Sequence, residues 1–533
     1  MKMDMKKILT IIGAALLMLT AWSCREQSDQ LMAYDHDEDL VFGDAEKSFA
    51  AKFQVLWNGM SQYYALWDFE KEQGVDWDAI YDEYYPQFQA LDQKDKVTDD
   101  ELTALLKKVF DPLHDGHLSF SVTNHTTGST VACQPEMDRV KQRVDFEQSS
   151  VQPSLAYYAN VANGKVETDD NGNPIVLEHS TDPQVLITEI TQVPGKGIPW
   201  VKAKIQELQA KSSRTEMEDF QLQQLNDLME KLKEAASNPQ AVPLINALNT
   251  LQAQYSFLNI PGFDYIDPAF ATGQGISVKY ALLKDGTKHN IAYFRLSAFF
   301  LTSYLEDKEC QSLFNMSNAS TQQHIKAIRE VWQAWFNDVQ RLHKEGTLGG
   351  VIIDVRSNGG GDMNDSKYVV GALVPGDYIT FGYQRFKRGT GRFEYSTLMP
   401  AHVKVMTDPH ETITEPIVIL TNCQSVSMSE TSTLCVKTLP NGKQIGKRSF
   451  GAICALTGND KHSFNYAGYI GVEGVTPVFG HVPSMASFTL QKTLVESTGI
   501  VPDIEVDLDL TQFSATGRDT QLDRALQFFS TGN

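Results

Sequence analysis

From Phe49 onward the apolar and aromatic positions Phe49, Phe53, Leu56, Met60, Tyr64 and Trp67 recur every three or four residues, the helical period, and predict a helix with one face in a core. A second helix is predicted after Thr98-Asp-Asp-Glu101, a capping box that precedes Leu102, Leu105, Leu106 and Val109 and gives way to Asp111-Pro112. Leu113-His-Asp-Gly-His117-Leu-Ser-Phe120 follows as a glycine-containing loop running into a strand-like segment, with His117 at the loop rim. Asn171-Gly172 predicts a hairpin turn, and Val201 to Lys233 a charged helical stretch with a capping box from Thr215 to Glu218. Ile276–Leu283 and Asn290–Leu296, joined through Asp285-Gly286, read as a hairpin. An amphipathic helix is expected from about His324 to His343. The continuous apolar runs Val351–Val355 and Ile417–Leu420 then predict strands buried on both faces of an α/β core. The expected organisation is an N-terminal helical unit over 46–120 ending in the His117 loop, a middle insertion over 121–270 and a core over 271–533.

The first residues carry a different pattern. Lys2, Lys6 and Lys7 precede an apolar run from Ile8 to Leu19, and small residues lead to Cys24, which predicts a signal peptide over 1–24. That run is too short to span a bilayer. The ending Leu19-Thr-Ala-Trp-Ser-Cys24 resembles a bacterial lipoprotein box, which implies lipidation of Cys24; an ordinary cleaved signal is the alternative. Residues 25–45, with Asp35-His-Asp-Glu-Asp39, read as a solvated tether. The expected location is a bacterial cell envelope, with the chain lipid-anchored and facing the periplasm or the cell exterior.

At 533 residues the chain has room for two or three compact units. A formal charge of −21 would repel a polyphosphate backbone, so nucleic acid is excluded as a partner. Besides Cys24 there remain Cys133, Cys310, Cys423, Cys435 and Cys454, an odd set at irregular spacing with no CxxC, read as buried small apolar residues.

Three segments sit where a strand or helix ends, the usual place for reactive groups. Asp354-Val-Arg-Ser-Asn-Gly-Gly-Gly361 follows a buried strand, and its glycines let backbone N–H groups approach a ligand, as an oxyanion hole requires. A tight turn is the alternative. Thr421-Asn-Cys-Gln-Ser425-Val-Ser427-Met-Ser429-Glu430 offers serines at a strand-to-helix turn, where a hydroxyl is displayed and the helix N-terminus favours developing negative charge. Serines also cap helices. The third segment is Leu494-Val-Glu496-Ser-Thr-Gly-Ile-Val-Pro502-Asp503-Ile504, in which Glu496 by itself reads as a solvated charge.

Together with Leu113–Phe120, Ile291–Phe299 and the Gln521-Leu-Asp-Arg-Ala-Leu-Gln527 helix, and in this order along the chain, these segments resemble the C-terminal processing peptidases, or tail-specific proteases, of peptidase family S41. The resemblance implies a crotonase-like core and hydrolysis of peptide bonds through an acyl-enzyme. It implies a nucleophile three residues before a glutamate, which selects Ser427 in Ser427-Met-Ser-Glu430, and an oxyanion hole from the N–H of Met428 with that of Gly359 or Gly360. Many relatives use a lysine base after Gly-Glu-Pro-Thr-Phe-Gly. Here Gly446-Lys-Arg-Ser-Phe-Gly451 is followed by Ala452, so that base is missing, and Lys447, five residues early, is the alternative base. The branch typified by the tricorn core protease uses serine, histidine, serine and glutamate. In that light His117 is the general base and Glu496 the carboxylate that orients it, while Gly116 stands where the additional serine would be.

His114 and His117 lack a third ligand at proper spacing, so no metal and no cofactor are expected. No PDZ domain is recognisable in 121–270. The expected partner is a peptide or protein substrate, with membrane contact only through the anchor. Two other readings stand: a non-catalytic peptide or small-ligand binder on the same scaffold, motivated by the missing lysine, and an acyl-CoA enzyme, which export from the cytosol disfavours.

Overall fold

The computed structural model describes residues 42–146, 183–192, 195, 197–237, 251, 276, 278–284, 290–306, 319–388, 391–454, 467–516 and 518–532. The signal peptide, residues 25–41 of the tether, Cys24, Cys310 and the turns at Asn171-Gly172 and Asp285-Gly286 lie outside them, while at the end of the tether Ala45 is buried in a short 3-10 turn over Gly43–Glu46. The chain begins with helices α1 (Phe49–Tyr63), α2 (Trp67–Glu72), α3 (Trp77–Leu91) and α4 (Asp99–Phe110). The long aromatic run is two helices rather than one, because Tyr64 turns extended at the end of α1. Phe49, Phe53, Leu56 and Met60 are buried, as their spacing requires. The Thr98 capping box is formed in full: the Thr98 side chain takes the Glu101 N–H and the Glu101 carboxylate takes the Thr98 N–H.

After the His117 loop come the antiparallel strands β1 (Ser119–Asn124) and β2 (Ser129–Cys133) and the short helix α5 (Pro135–Val140). The charged stretch further on is broken, with α6 (Pro183–Gln192) and α7 (Gly197–Gln209) preceding α8 (Glu216–Ala236), which starts at the Thr215 capping box. These three helices share a small core of their own around Val201, Leu225, Leu228 and Leu232.

The remaining elements are β3 (Val278–Lys284), β4 (Asn290–Leu296), α9 (Thr302–Leu305), α10 (Ala319–Lys344), β5 (Leu348–Asp354), β6 (Tyr378–Phe386), β7 (Met399–Lys404), β8 (Ile417–Thr421), α11 (Met428–Thr438), β9 (Gly442–Gly446), β10 (Ala467–Ile470), β11 (Val478–Pro483), β12 (Met485–Thr489), β13 (Ile504–Glu505), α12 (Leu510–Thr516) and α13 (Thr520–Thr531). The largest sheet runs β13-β9-β8-β5-β4-β3. It is parallel from β13 to β4, and β3 closes it antiparallel.

The sheet explains why β5 and β8 are apolar without alternation. Successive side chains point to opposite faces, and both faces are covered. Val351, Ile353, Ile417 and Ile419 face the side packed by Trp335, Val339 and Leu342 of α10. Ile352, Val418 and Leu420 face Leu522, Ala525 and Phe528 of α13. Ile325, Ile328, Trp332, Trp335, Val339 and Leu342, all buried, give α10 a continuous apolar stripe, and the Trp335 ring stacks on Phe294 at 4.6 Å. The mixed α/β class with a helical N-terminal region is as expected.

Two smaller sheets complete the frame, β10-β11-β1-β2 and β12-β6-β7. The first joins distant parts of the chain, for β1 pairs with β11 and sets Ser119 opposite His481. Among the described residues Cys133, Cys423, Cys435 and Cys454 are buried and form no disulfide. Among the described residues no helix is long and apolar enough to cross a membrane.

Candidate active site

Thr421 ends β8, and the loop after it is locked before the helix begins. The Ser425 hydroxyl takes the Asn422 N–H at 3.1 Å and donates to the Val355 carbonyl at 2.8 Å. Ser427 then adopts φ 56° and ψ −112°, a conformation a non-glycine residue rarely holds. It caps α11, half-buried, with the positive end of the helix behind it.

The glycine loop after β5 lies directly against this turn. A Cβ on Gly360 would fall 2.6 Å from Ser427 Cβ and 2.9 Å from Met428 N, at φ +95°. Only glycine permits that approach. Asn358, which sequence reasoning passed over, fastens the two loops. Its carbonyl accepts the Val426 N–H at 3.0 Å and the Ser429 hydroxyl at 2.8 Å, and its side chain donates to the Leu296 carbonyl at 2.8 Å. Its Oδ1 takes the Gly360 N–H at 2.8 Å. Gly360 therefore spends its amide on Asn358, which leaves Gly359 as the better oxyanion donor of the two. Among the described residues no acceptor takes the N–H of Met428 or of Gly359, and Gly359 is exposed with open space around it.

Glu430, noted in the sequence only as a motif marker, has a structural task. Fully buried at the third position of α11, it takes the Ser449 hydroxyl at 2.6 Å, the Gly451 and Ala452 N–H groups at 2.8 Å each and the Ser427 N–H at 3.3 Å. Burial raises its pKa against these donors. The segment 449–452 is thereby held on the serine turn, and the Ala452 carbonyl in turn accepts the Ser427 N–H at 2.9 Å.

On the other side of Ala452 lies the histidine loop. A Cβ on Gly116 would stand 2.4 Å from Ala452 Cβ and 2.6 Å from Phe450 Cε1, so no serine fits there. Gly116 instead donates its N–H to Glu496 Oε1 at 3.0 Å, while Glu496 Oε2 takes the Ile453 and Cys454 N–H groups at 2.9 Å each. One ring nitrogen of His117, one oxygen of Asp115 and one of Glu496 all lie within 4.8 Å of one another. Glu496, far from being solvated, is wholly buried. Burial lifts its carboxyl to about 8. Asp115, also fully buried, is raised by burial and by the neighbouring Glu496 charge. Burial and then His481 push His117 down to about 3, a neutral imidazole whose buried Nδ1 has no hydrogen-bond partner. Asp115 was visible in Asp-Gly-His but had no assigned role. His481 had no signal in the sequence, because strand pairing alone brings it here.

The sequence-derived candidates thus gather in two clusters, Ser427 with Met428, Gly359 and Gly360, and His117 with Glu496, which meet at 450–454. No hydrogen bond joins Ser427 to His117 among the described residues; such bonds often tighten only when substrate binds. Lys447 stands apart. Its Nζ lies 2.8 Å from Glu505 and 2.7 Å from Asp507, and these carboxylates hold it cationic against its partial burial. A lysine so held is a poor base. His114 is likewise engaged, bonded to Glu70 at 2.9 Å.

The model of peptidase family S41 matches residues 290–506. Over these residues the chain is similar to peptidase family S41. The stretch runs from β4 to β13 and includes the glycine loop, the Ser427 turn and Glu496. Solved structures similar to the chain include a candidate peptidase from Parabacteroides merdae, 17% identical, with 91% of this chain and 98% of that one covered at a TM-score of 0.45. Mature CPAF is 11% identical, with 92% and 98% covered at 0.46, and the photosystem II D1 C-terminal processing protease is 17% identical, with 47% and 52% covered at 0.28. No curated protein matches the chain significantly. His117 lies before the matched S41 stretch, and the fold brings it back to that stretch through the Gly116–Glu496 bond.

Proposed function

We propose that the S41-like core hydrolyses peptide bonds through an acyl-enzyme on Ser427, with His117 as general base and Glu496 as the carboxylate that orients and stabilises it. The observation that carries this reading is the convergence of three remote segments around 450–454: the strained Ser427 turn, the His117 loop and the buried Glu496. In the reaction the Ser427 hydroxyl attacks the scissile carbonyl and passes its proton to His117. The oxyanion that forms draws on the Met428 and Gly359 N–H groups and on the N-terminus of α11. His117 returns the proton to the leaving amine, and a water, deprotonated by the same imidazole, releases the acyl group. The neutral resting state of His117 suits a group that must first accept a proton.

The test is labelling by a fluorophosphonate, which reacts only with an activated serine. Ser427→Ala is expected to abolish it and His117→Ala to slow it by about two to four orders of magnitude, while Lys447→Ala behaves like native. Labelling that persists in Ser427→Ala, or that disappears in Lys447→Ala, would overturn the assignment. A folded native chain that never labels would favour the binding-protein reading. The signal-like pattern over 1–24 supports export and a lipid on Cys24, so Cys24→Ser should lose incorporation of a radiolabelled fatty acid; unchanged incorporation refutes the anchor.

A further inference from the structure

The carboxyl groups of Asp115 and Glu496 meet at the Asp-Gly-His turn, where one oxygen of each and a ring nitrogen of His117 lie within 4.8 Å of one another. Asp115 Oδ1 takes the His117 N–H at 2.8 Å, and Glu496 Oε1 takes the Gly116 N–H at 3.0 Å. Both residues are wholly buried, and Asp115 Oδ2 has no partner that a carboxylate could accept from. The charged and titratable groups around them offer no counterion. Glu70 lies beside Asp115, bonded to His114 and to the Tyr64 hydroxyl. Glu136 is paired with Arg139. Cys454 and Glu430 face Glu496, and His481 faces His117. Each nearby cationic side chain thus has its own carboxylate. Among the described residues no lysine or arginine reaches Asp115 or Glu496.

We infer that Asp115 and Glu496 act as one acid, a buried carboxyl pair that holds a single proton between them and presents one negative charge to His117, with Asp115 as a positioning residue. The inference deepens the peptidase reading proposed above and rests on it for its consequence in catalysis. Two like charges this close and this dry cannot both be sustained. A shared proton removes one of them and satisfies the orphaned Asp115 oxygen. Burial raises both groups, and the Glu496 charge raises Asp115 further, in the same direction. The pair titrates as a unit, in two steps that belong to neither residue alone. With both protons on, nothing negative faces the imidazolium that forms when Ser427 gives up its proton; with one proton gone, that imidazolium is matched charge for charge.

The pair is tested on the full chain by the pH dependence of the fluorophosphonate labelling rate and by infrared spectra of protonated carboxyl groups near neutral pH. Native protein should show an acid limb set by the first proton lost from the pair. Asp115→Asn should move that limb to higher pH by about one unit, because an amide stabilises the single charge on Glu496 less than the shared acid proton does. The infrared component of the shared proton should be missing from both Asp115→Asn and Glu496→Gln, and either variant serves if the other does not fold. A slower rate with the limb unmoved would mean that Asp115 merely holds the loop, and an infrared band unchanged in the folded variants would mean that no proton is shared. Either result overturns the inference. Labelling that survives Ser427→Ala would instead remove the peptidase reading, and the infrared comparison would still decide whether the proton is shared.

Discussion

Gly116 occupies a position where one added hydroxymethyl group has nowhere to go. The Cβ alone would press on Ala452 and Phe450 at 2.4 and 2.6 Å, and Ala452 is the residue whose carbonyl holds the Ser427 N–H. With glycine at 116 and alanine at 452 the histidine loop packs directly onto the serine turn. Gly116→Ser is expected to lower stability by about 1–3 kcal/mol, the usual cost of overpacking, and to reduce fluorophosphonate labelling by displacing Ala452. Urea unfolding with parallel labelling checks both. A variant as stable and as reactive as native would show that the loop yields without strain.

At the scale of elements, α11 is the device that aims Ser427, and its anchor is Glu430. Each Glu430 oxygen faces two donors, Ser449 and Gly451 on Oε1, Ala452 and Ser427 on Oε2. In Glu430→Gln either orientation of the amide sets an NH2 group against two of them. The expected cost is about 1–3 kcal/mol for the donors left unsatisfied. Labelling should also fall, because the 449–452 segment loosens from the serine turn. Thermal unfolding together with labelling of the folded fraction measures the two effects separately. Native-like labelling per folded molecule would show that α11 keeps its aim without this anchor.

For the molecule as a whole, the glycine loop is fixed to the C-terminal helix α13 by a buried ionic network. Arg356 lies 2.6 Å from Asp354 and 2.7 Å from Asp519, and it donates to Gln521 at 2.9 Å. Arg295 adds a second cation 3.3 Å from Asp354. Burial alone would raise Asp354, but the Arg356 and Arg295 guanidiniums outweigh it and bring the carboxyl from 3.8 down to about 2. Because the folded value is depressed, this contribution, about 2 kcal/mol, is present above the unfolded value and is lost as pH falls from about 4 towards 2. Arg356→Met leaves two buried carboxylates without it and should cost about 3–5 kcal/mol near neutral pH. The difference from native should shrink on acidification through that window, as denaturant midpoints at several pH values would reveal. A difference that stays constant with pH would show that the network is not what stabilises the junction.

Much of this was decided locally and could be read from the sequence. The Thr98 and Thr215 capping boxes, the stripe along α10 and the apolar runs of β5 and β8 depend on neighbours three or four residues away or on a strand covered on both faces, and Ser427 and the glycine loop are marked by residues adjacent in the chain. Other features depended on tertiary contact, which sequence spacing does not encode. Glu496, which by itself reads as a solvated charge, is enclosed by the fold between Gly116 and Cys454, and Lys447, the alternative base, has Glu505 and Asp507 beside it. Asn358 claimed the Gly360 amide from the oxyanion hole, and the β1–β11 register brought His481 to His117. The sequence determined which groups could react and which backbone would display them. The tertiary structure decided their charge states and their partners, because burial and the proximity of distant segments set both.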